Sequence, residues 1–433
     1  MAWTPPSAPC LLFGVGLAVM AGCASAAGPI PPPSPAEVPA LEERVRQVPG
    51  DASAQLRLGV AYLELARPDE ARRALETAAD RAPESDVVRF YLGLAYEELG
   101  RWADAVTAME AVAAISQVQA LRDPALLRLP LLRRQALAAE VRATVGNEVL
   151  LANRPPLAGS VAVYPFRFRG PDPALAPLGR ALGALVASDL ARVERITVME
   201  RLRVQLLLDE IQLAEEGYVD PATAARTGRL LGAERVVQGT LDGGQDRIEI
   251  LAGLVRVGTA DAPTTLADQD ALANLFDLQK RLVLSLFESM GVQLTPAERD
   301  RVLERSTRSL QALLLYGRAL EAEDRGDWAT AAALFQQAAE EDPAFEEARD
   351  GETRTRSLAL AAAQPPRRMA QLAYPELPPP PVPTPTALDF GGLRGMIPSP
   401  GGRDPLAELL GREGLRPAPS IIEILLRPTG GEE

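Results

Sequence analysis

Two stretches of this chain repeat each other at a spacing of 34 residues, and that period restricts the fold more than any other feature of the sequence. Leu58, Gly59, Tyr62 and Ala71 are answered, each 34 positions on, by Leu92, Gly93, Tyr96 and Ala105. A period of this length encodes a helical hairpin. Small residues such as Ala71, Ala78 and Ala105 let the two helices approach, the tyrosines pack between them, and Pro83 ends the second helix. Residues 52–85 and 86–119 therefore read as two hairpins, and 130–152 as a helix capping their open apolar face. A third copy lies far downstream, with Gly326, Trp328, Ala331, Phe335, Ala338 and Pro343 at matching offsets within 312–345. Fewer than three hairpins in contact rarely stand alone, so packing against the intervening segment is expected to compensate.

That segment changes its hydrophobic period in a compact order: strand, helix, strand, helix, helix, strand, strand. Ser160 to Phe166 is a short apolar run broken by Pro165, which suits a buried strand. Leu178, Leu182, Leu185, Val186 and Leu190 form one helical stripe, Ile196 to Met199 returns to strand chemistry, and Val204, Leu207, Leu208 and Ile211 form a second stripe ending at Gly217. Asp220 is a good N-cap and Pro221 a good first residue for a third helix, which Gly232 closes. Val236 to Leu241, the turn Asp242 to Asp246, and Ile248 to Val257 read as a hairpin. The fold class expected is α/β, a small mixed sheet with helices, combined with all-α helical hairpins. Leu275, Leu278, Leu282, Leu286 and Met290 mark a long helix whose stripe should dock on that sheet.

The phrases VAVYPF (161–166), VMERLRVQLLLDEIQLAEEGYVD (198–220), PATAARTGRLLGAERVVQGTL (221–241) and RIEILAGLVRVGTAD (247–261) resemble the CsgG family, the periplasmic domain of the curli secretion lipoprotein and its relatives. The hairpins resemble tetratricopeptide repeats. Together they imply a domain order: 1–22 signal peptide, 23–40 tether, 41–152 repeats with a capping helix, 159–262 CsgG-like domain, 266–308 linking helices, 312–345 third repeat, and 364–433 a disordered Pro-rich tail.

Leu11 to Met20 is an apolar run of signal-peptide length, and Met20-Ala-Gly-Cys23 resembles the bacterial lipobox, whose cysteine is acylated and becomes the mature terminus. We read Cys23 as that lipidated residue, with acyl chains sufficient for stable anchoring. The competing reading is an ordinary signal cleaved near Ala24 to Ala27, with Cys23 discarded. Ala24 in place of the inner-membrane aspartate directs the expected anchor to the outer membrane, facing the periplasm.

Composition narrows the chemistry. A net charge of −13 argues against nucleic acid as a partner. No histidine occurs, and both cysteines, Cys10 and Cys23, lie in the first 23 residues, which removes the common bases and metal ligands from the body of the protein. No phosphate loop or dinucleotide fingerprint is present, and no catalytic, cofactor or metal residues are nominated. Asp242 and Asp246 read as turn chemistry, Gly179 and Gly183 as close helix packing, and Asp209, Glu210, Glu215, Glu216, Glu64, Arg72, Glu97 and Arg101 as solvated charge. Lys280, the one lysine, reads as codon bias. Tyr374 to Pro385 reads as a polyproline spacer, while Ser420 to Leu426 is either an edge-pairing strand or a stray apolar tail.

The expected function is a non-enzymatic, outer-membrane-anchored periplasmic scaffold that recruits protein partners through its repeats and oligomerises through the CsgG-like domain. The alternative is a curli-type channel subunit. A channel needs membrane-spanning hairpins with strands of about 9–11 residues, apolar on alternate positions, and the one hairpin found carries Arg247, Glu249 and Arg256 in its second strand.

Overall fold

The computed structural model describes residues 33, 35–151, 155–211, 221–244, 246–259 and 262–373. Cys10, Cys23, Glu215, Glu216, Asp220, the Tyr374 to Pro385 run and the Ser420 to Leu426 segment lie outside them.

A short turn at Pro35–Glu37 leads into α1 (Val38–Gln47), so ordered helix begins inside the expected tether. The two hairpins follow as α2 (Ala52–Glu64) with α3 (Pro68–Arg81) and α4 (Asp86–Glu98) with α5 (Trp102–Ile115). Side chains of Asp51 and Ser85 accept hydrogen bonds from the Ala54 and Val88 amides, capping α2 and α4. The 34-residue period reappears in contacts: Tyr62 donates to Glu42 and lies under Arg67, and Tyr96 donates to Glu76 and lies under Arg101. Glu42 sits on α1, which thus packs as the half-repeat before α2.

The capping helix is longer than the sequence suggests. α6 runs from Gln119 to Gly146 with Pro124 and Pro130 inside it. A proline removes one backbone bond and crowds the preceding turn, yet Leu121, Ala125, Leu129 and Leu132 are buried along this helix, and their packing offsets the loss. A single turn, α7 (Glu148–Leu151), leads to the sheet.

The sheet order is β3-β1-β4-β5-β6, with β2 also beside β4. β1 (Leu157–Val163) runs parallel to β3 (Thr197–Val198) and to β4 (Ala233–Gly243); β4, β5 (Ile248–Arg256) and β6 (Thr264–Asp270) are antiparallel. Pro165 separates β1 from β2 (Arg167–Phe168). Two elements differ from expectation. β6 is a strand where linking helices were expected to begin, and β4 continues to Gly243, pairing Asp242 with Glu249 and shortening the turn.

Both faces are covered. α8 (Pro177–Ala191) and α11 (Leu275–Ser289) bury one face with Val161, Val163, Val237 and Leu241, while α9 (Arg201–Glu210) and α10 (Pro221–Leu231) cover Ala162, Tyr164, Val236 and Val255 on the other. α8 approaches the β1–β2 connection so closely that a Cβ on Gly179 would lie 2.1 Å from the Phe166 carbonyl oxygen, and one on Gly183 2.7 Å from that of Tyr164.

After α12 (Pro296–Leu303), the third hairpin is α13 (Leu310–Asp324) and α14 (Trp328–Glu341), followed by α15 (Glu346–Ala362). It is not isolated. α13 packs on α8, and one apolar core runs from the sheet through Leu278 and Leu313 to Phe335 and Phe345. α15 packs on α6, and Val141, Leu207 and Leu230 join the far end of α6 to α9 and α10. The repeats at both ends of the chain thus clasp the sheet domain.

The start of the expected tail is also folded: Pro366–Ala373 is a helix, α16, lying across α2, α4 and α6. Pro366 occupies the first helical position, where a missing amide costs nothing, so the Pro-Pro pair opens a helix here.

Candidate partner-binding cleft

The two sets of repeats and the sheet domain leave a cleft of about 1790 Å³ between them. One wall is α5 and α6, with Leu127 and Leu137; a second is the β3–α9 corner, with Met199 and Leu202; the third is α13 and α15, with Leu320 and Leu360. Leu360 is 53% exposed, a large apolar side chain left facing solvent at the edge. Charge pairs flank the walls. Arg133 donates to Glu110 at 2.8 Å on the repeat side, and Arg203 reaches from α9 to Glu140 on α6 at 2.9 Å.

The floor is a network of ions contributed by five elements, α6, α8, α9, α13 and α15. Arg201, the first residue of α9, donates to Asp324 Oδ1 at 2.7 Å and Glu323 Oε2 at 2.8 Å, while Arg354 of α15 donates to Glu323 Oε1 at 2.7 Å. Arg180 of α8 also pairs with Asp324. Arg134 of α6 donates to the Glu323 carbonyl at 3.2 Å and stacks 4.5 Å from the Trp328 ring centre. Burial opposes the charged form of Glu323, but Arg354 and Arg201 outweigh it and hold the carboxyl below its ordinary value. The same balance raises Arg201 above its ordinary value: burial acts against it and Asp324 and Glu323 prevail.

Two charged residues read as unremarkable in the sequence are buried elsewhere in the fold, away from the cleft. Glu97 is 6% exposed and pairs with Arg128, whose Nε donates to Glu97 Oε2 at 3.2 Å. It is not part of a solvated face, because α6 closes over α4 and brings Arg128 with it. Burial pushes the Arg128 guanidinium down to about 10. Lys280 is also buried, donating to Asp189 Oδ2 at 2.7 Å beside Gln279. The lone lysine therefore has a packing partner between α11 and α8.

The signature residues of the repeats lie inside the hairpins. Gly59 admits Leu75, whose Cγ would be 2.5 Å from an added Cβ, and Gly93 admits Met109. Leu58, Tyr62, Ala71, Ala78, Ala105, Ala331, Phe335 and Ala338 are buried, while Leu92 and Tyr96 are partly buried against the same core. Pro83 and Pro343 follow the ends of α3 and α14, and Gly326 turns α13 into α14 at φ +79°. Among the described residues no three His, Cys, Asp or Glu side chains form a candidate metal site.

The model for the curli production assembly/transport component CsgG matches residues 150–243, and tetratricopeptide repeat models match 38–86, 56–120 and 311–344. The chain carries a CsgG domain between tetratricopeptide repeats. No curated protein matches it significantly. In the CsgG domain, the Met199-Glu200-Arg201 phrase is one of the pieces that meet the repeats, since it sets Arg201 on the α13 carboxylates and Met199 in the cleft wall. Sequence reasoning missed the cleft because its walls come from segments as far apart in sequence as Ala103 and Leu360; the available signal was the arginine in that phrase.

Proposed function

We propose that this protein is a periplasmic scaffold in envelope secretion or assembly, anchored in the outer membrane through acylated Cys23, that recruits another protein through the cleft. The observation carrying the reading is that repeats from both ends of the chain and the CsgG domain frame one apolar cleft, with the charged groups of its floor paired with one another. A site whose ions are mutually satisfied is suited to holding an apolar surface rather than to acid–base work, which needs a free group near its working pKa. Alternating apolar wall and paired charge at the edge fit an amphipathic helix of a partner, apolar side inward. The relation of the central domain to a curli assembly component supports the envelope setting and assembly into homo-oligomers.

The test is purification from membranes in mild detergent. The scaffold reading expects a stoichiometric partner, identified by mass spectrometry, that is lost with Leu360→Asp at an unchanged melting temperature, and no ion conductance in planar bilayers. Closed rings that conduct would replace this reading with the channel. For the anchor, Cys23→Ser is expected to release the protein into the soluble periplasmic fraction.

A further inference from the structure

The floor of the cleft is electrostatically satisfied, but two charges on its walls are not. Arg122, in the first turn of α6, and Glu200, which precedes α9, both line the cleft and are exposed. Neither has an ion-pair partner among the described residues, while Asp123, next to Arg122, is met by the Gln119 side-chain amide at 3.0 Å. The walls are otherwise largely apolar, with Leu126 and Leu137 on α6, Leu202 on α9 and Leu360 on α15. An occupant that fits is a short run of large aliphatic side chains bearing one acidic and one basic group. This chain contains such a run. Ile421, Ile422, Ile424, Leu425 and Leu426 surround Glu423 and are followed by Arg427. No other stretch of that length beyond Ala373 holds as many large apolar residues, and taking them out of water is favourable. Ser420 and Glu423 have capping-box spacing and Pro428 is a stop signal, so the sequence suits a helix over 421–427. At 100° per residue, that helix would put Glu423 and Arg427 on one side and the five aliphatic residues on the rest.

The run also has the reach. Arg128 of α6 donates through Nη1 to the Gln364 carbonyl at 2.7 Å, just ahead of α16, while its neighbours Leu126, Leu127 and Leu129 line the cleft. The chain therefore sets out from the far side of α6, and a helix is only about 10–12 Å across. Residues 374–419 stand between Ala373 and Ser420, and a chain of that length spans roughly 35–40 Å on average.

We propose that residues 420–427 of this chain occupy the cleft in cis and are the internal competitor of whatever it recruits. The proposal rests on the reading of the cleft as a protein-binding site and adds its regulation. The tether holds the segment at a local concentration on the order of a millimolar, so a partner enters only by displacing it, and weak intrinsic binding is enough to keep the cleft covered.

The first probe is benzoylphenylalanine at position 360 in the purified full-length protein, irradiated at low concentration. The expected product is an intramolecular link to residues 420–427, mapped by mass spectrometry and lost when Ile422→Asp and Leu425→Asp are introduced together. That double variant alters none of the described residues, so its folded body is intact. The second probe is a fluorescein-labelled peptide with the sequence of residues 417–429, followed by anisotropy. It is expected to bind the double variant at least about tenfold tighter than the unaltered chain, because the variant no longer spends its population on the self-docked state. Arg122→Glu in the variant background should weaken that binding several-fold. A link to residues 404–410 instead, no link, equal peptide binding to both chains, or indifference to Arg122→Glu overturns the proposal. A link that joins two chains in proportion to concentration makes the occupant a second copy and overturns it as well. The purified protein contains no partner, so the two readings fail separately. An internal link with no partner captured in cells removes the recruitment reading alone, and a captured partner without the link removes the internal competitor alone.

Discussion

A methyl group on Gly317 would stand 2.2 Å from the carbonyl oxygen of Pro177, so the third repeat and the CsgG domain meet at backbone contact with no room for a side chain. The contact joins α13 to the first turn of α8, and no flexible side chain can move to relieve a clash there.

Gly317→Ala is therefore expected to cost about 1–3 kcal/mol, the range for overpacking a close contact, although alanine is the better helix former. Chemical denaturation should show a lower midpoint. A neutral or stabilising outcome would mean that α13 does not sit against α8 as described.

The second prediction concerns the buried Lys280–Asp189 pair. Removing Lys280 leaves the buried Asp189 carboxylate with only the Gln279 amide and Arg192, 3.4 Å away, beside it, so Lys280→Met should destabilise by about 1–3 kcal/mol. Asp189→Leu combined with Lys280→Met should recover much of that loss, because an apolar pair of similar size fills the site without desolvating ions. Thermal melts of the two variants distinguish this from a lysine that contributes only bulk.

Acid stability offers a third test. Arg195 donates to both carboxylate oxygens of Glu298, at 2.9 and 3.0 Å, and the Thr295 amide donates at 2.8 Å; these bonds hold the carboxyl down at about 2, below its ordinary 4.5. A lowered folded-state pKa contributes stability that is present above pH 4.5 and is lost as pH falls toward 2. Glu298→Gln should lower stability at pH 7 and flatten the pH dependence across that window. Parallel curves for the two proteins would contradict the assignment.

Ala66 gives the fourth. It stands between α2 and α3 at φ +59°, the left-handed region, where the corresponding turn after α4 uses Gly100 at φ +68°. An L-residue with a Cβ is strained there, so Ala66→Gly is expected to raise stability by up to about 1 kcal/mol, against the usual penalty for glycine. A lower melting temperature would show that this turn is relaxed.

These tests fall on features of unequal legibility. The hairpin helices were readable because Tyr62, Ala71 and their partners 34 residues on are fixed by packing within each hairpin, so local pattern and tertiary contact agree. The central strands were readable for the same reason: Val161 and Val163 face one core, Ala162 and Tyr164 the other. β6 was not readable, because an edge strand exposed along most of Thr264–Asp270 has only Leu266 and Ala267 as apolar residues and no run to detect. α6 was obscured by Pro124 and Pro130, and α16 by a Pro-Pro pair that opens a helix only because Met369 and Ala370 find a seat on distant repeats. Glu97 and Lys280 carry no sign of burial in sequence, since their partners Arg128 and Asp189 arrive from other elements. The cleft depends on how three units are placed, which no local period encodes.

The most direct measurement is photo-cross-linking in cells from benzoylphenylalanine at position 360, at the edge of the cleft, beside the same group at position 149, where Val149 is 87% exposed and away from it. The account predicts one discrete adduct from position 360, containing an envelope protein identified by mass spectrometry, abolished by Leu137→Asp and absent from position 149. Equal labelling from both positions, or an adduct that survives Leu137→Asp in a folded protein, would contradict the cleft as the place where this scaffold holds its partner.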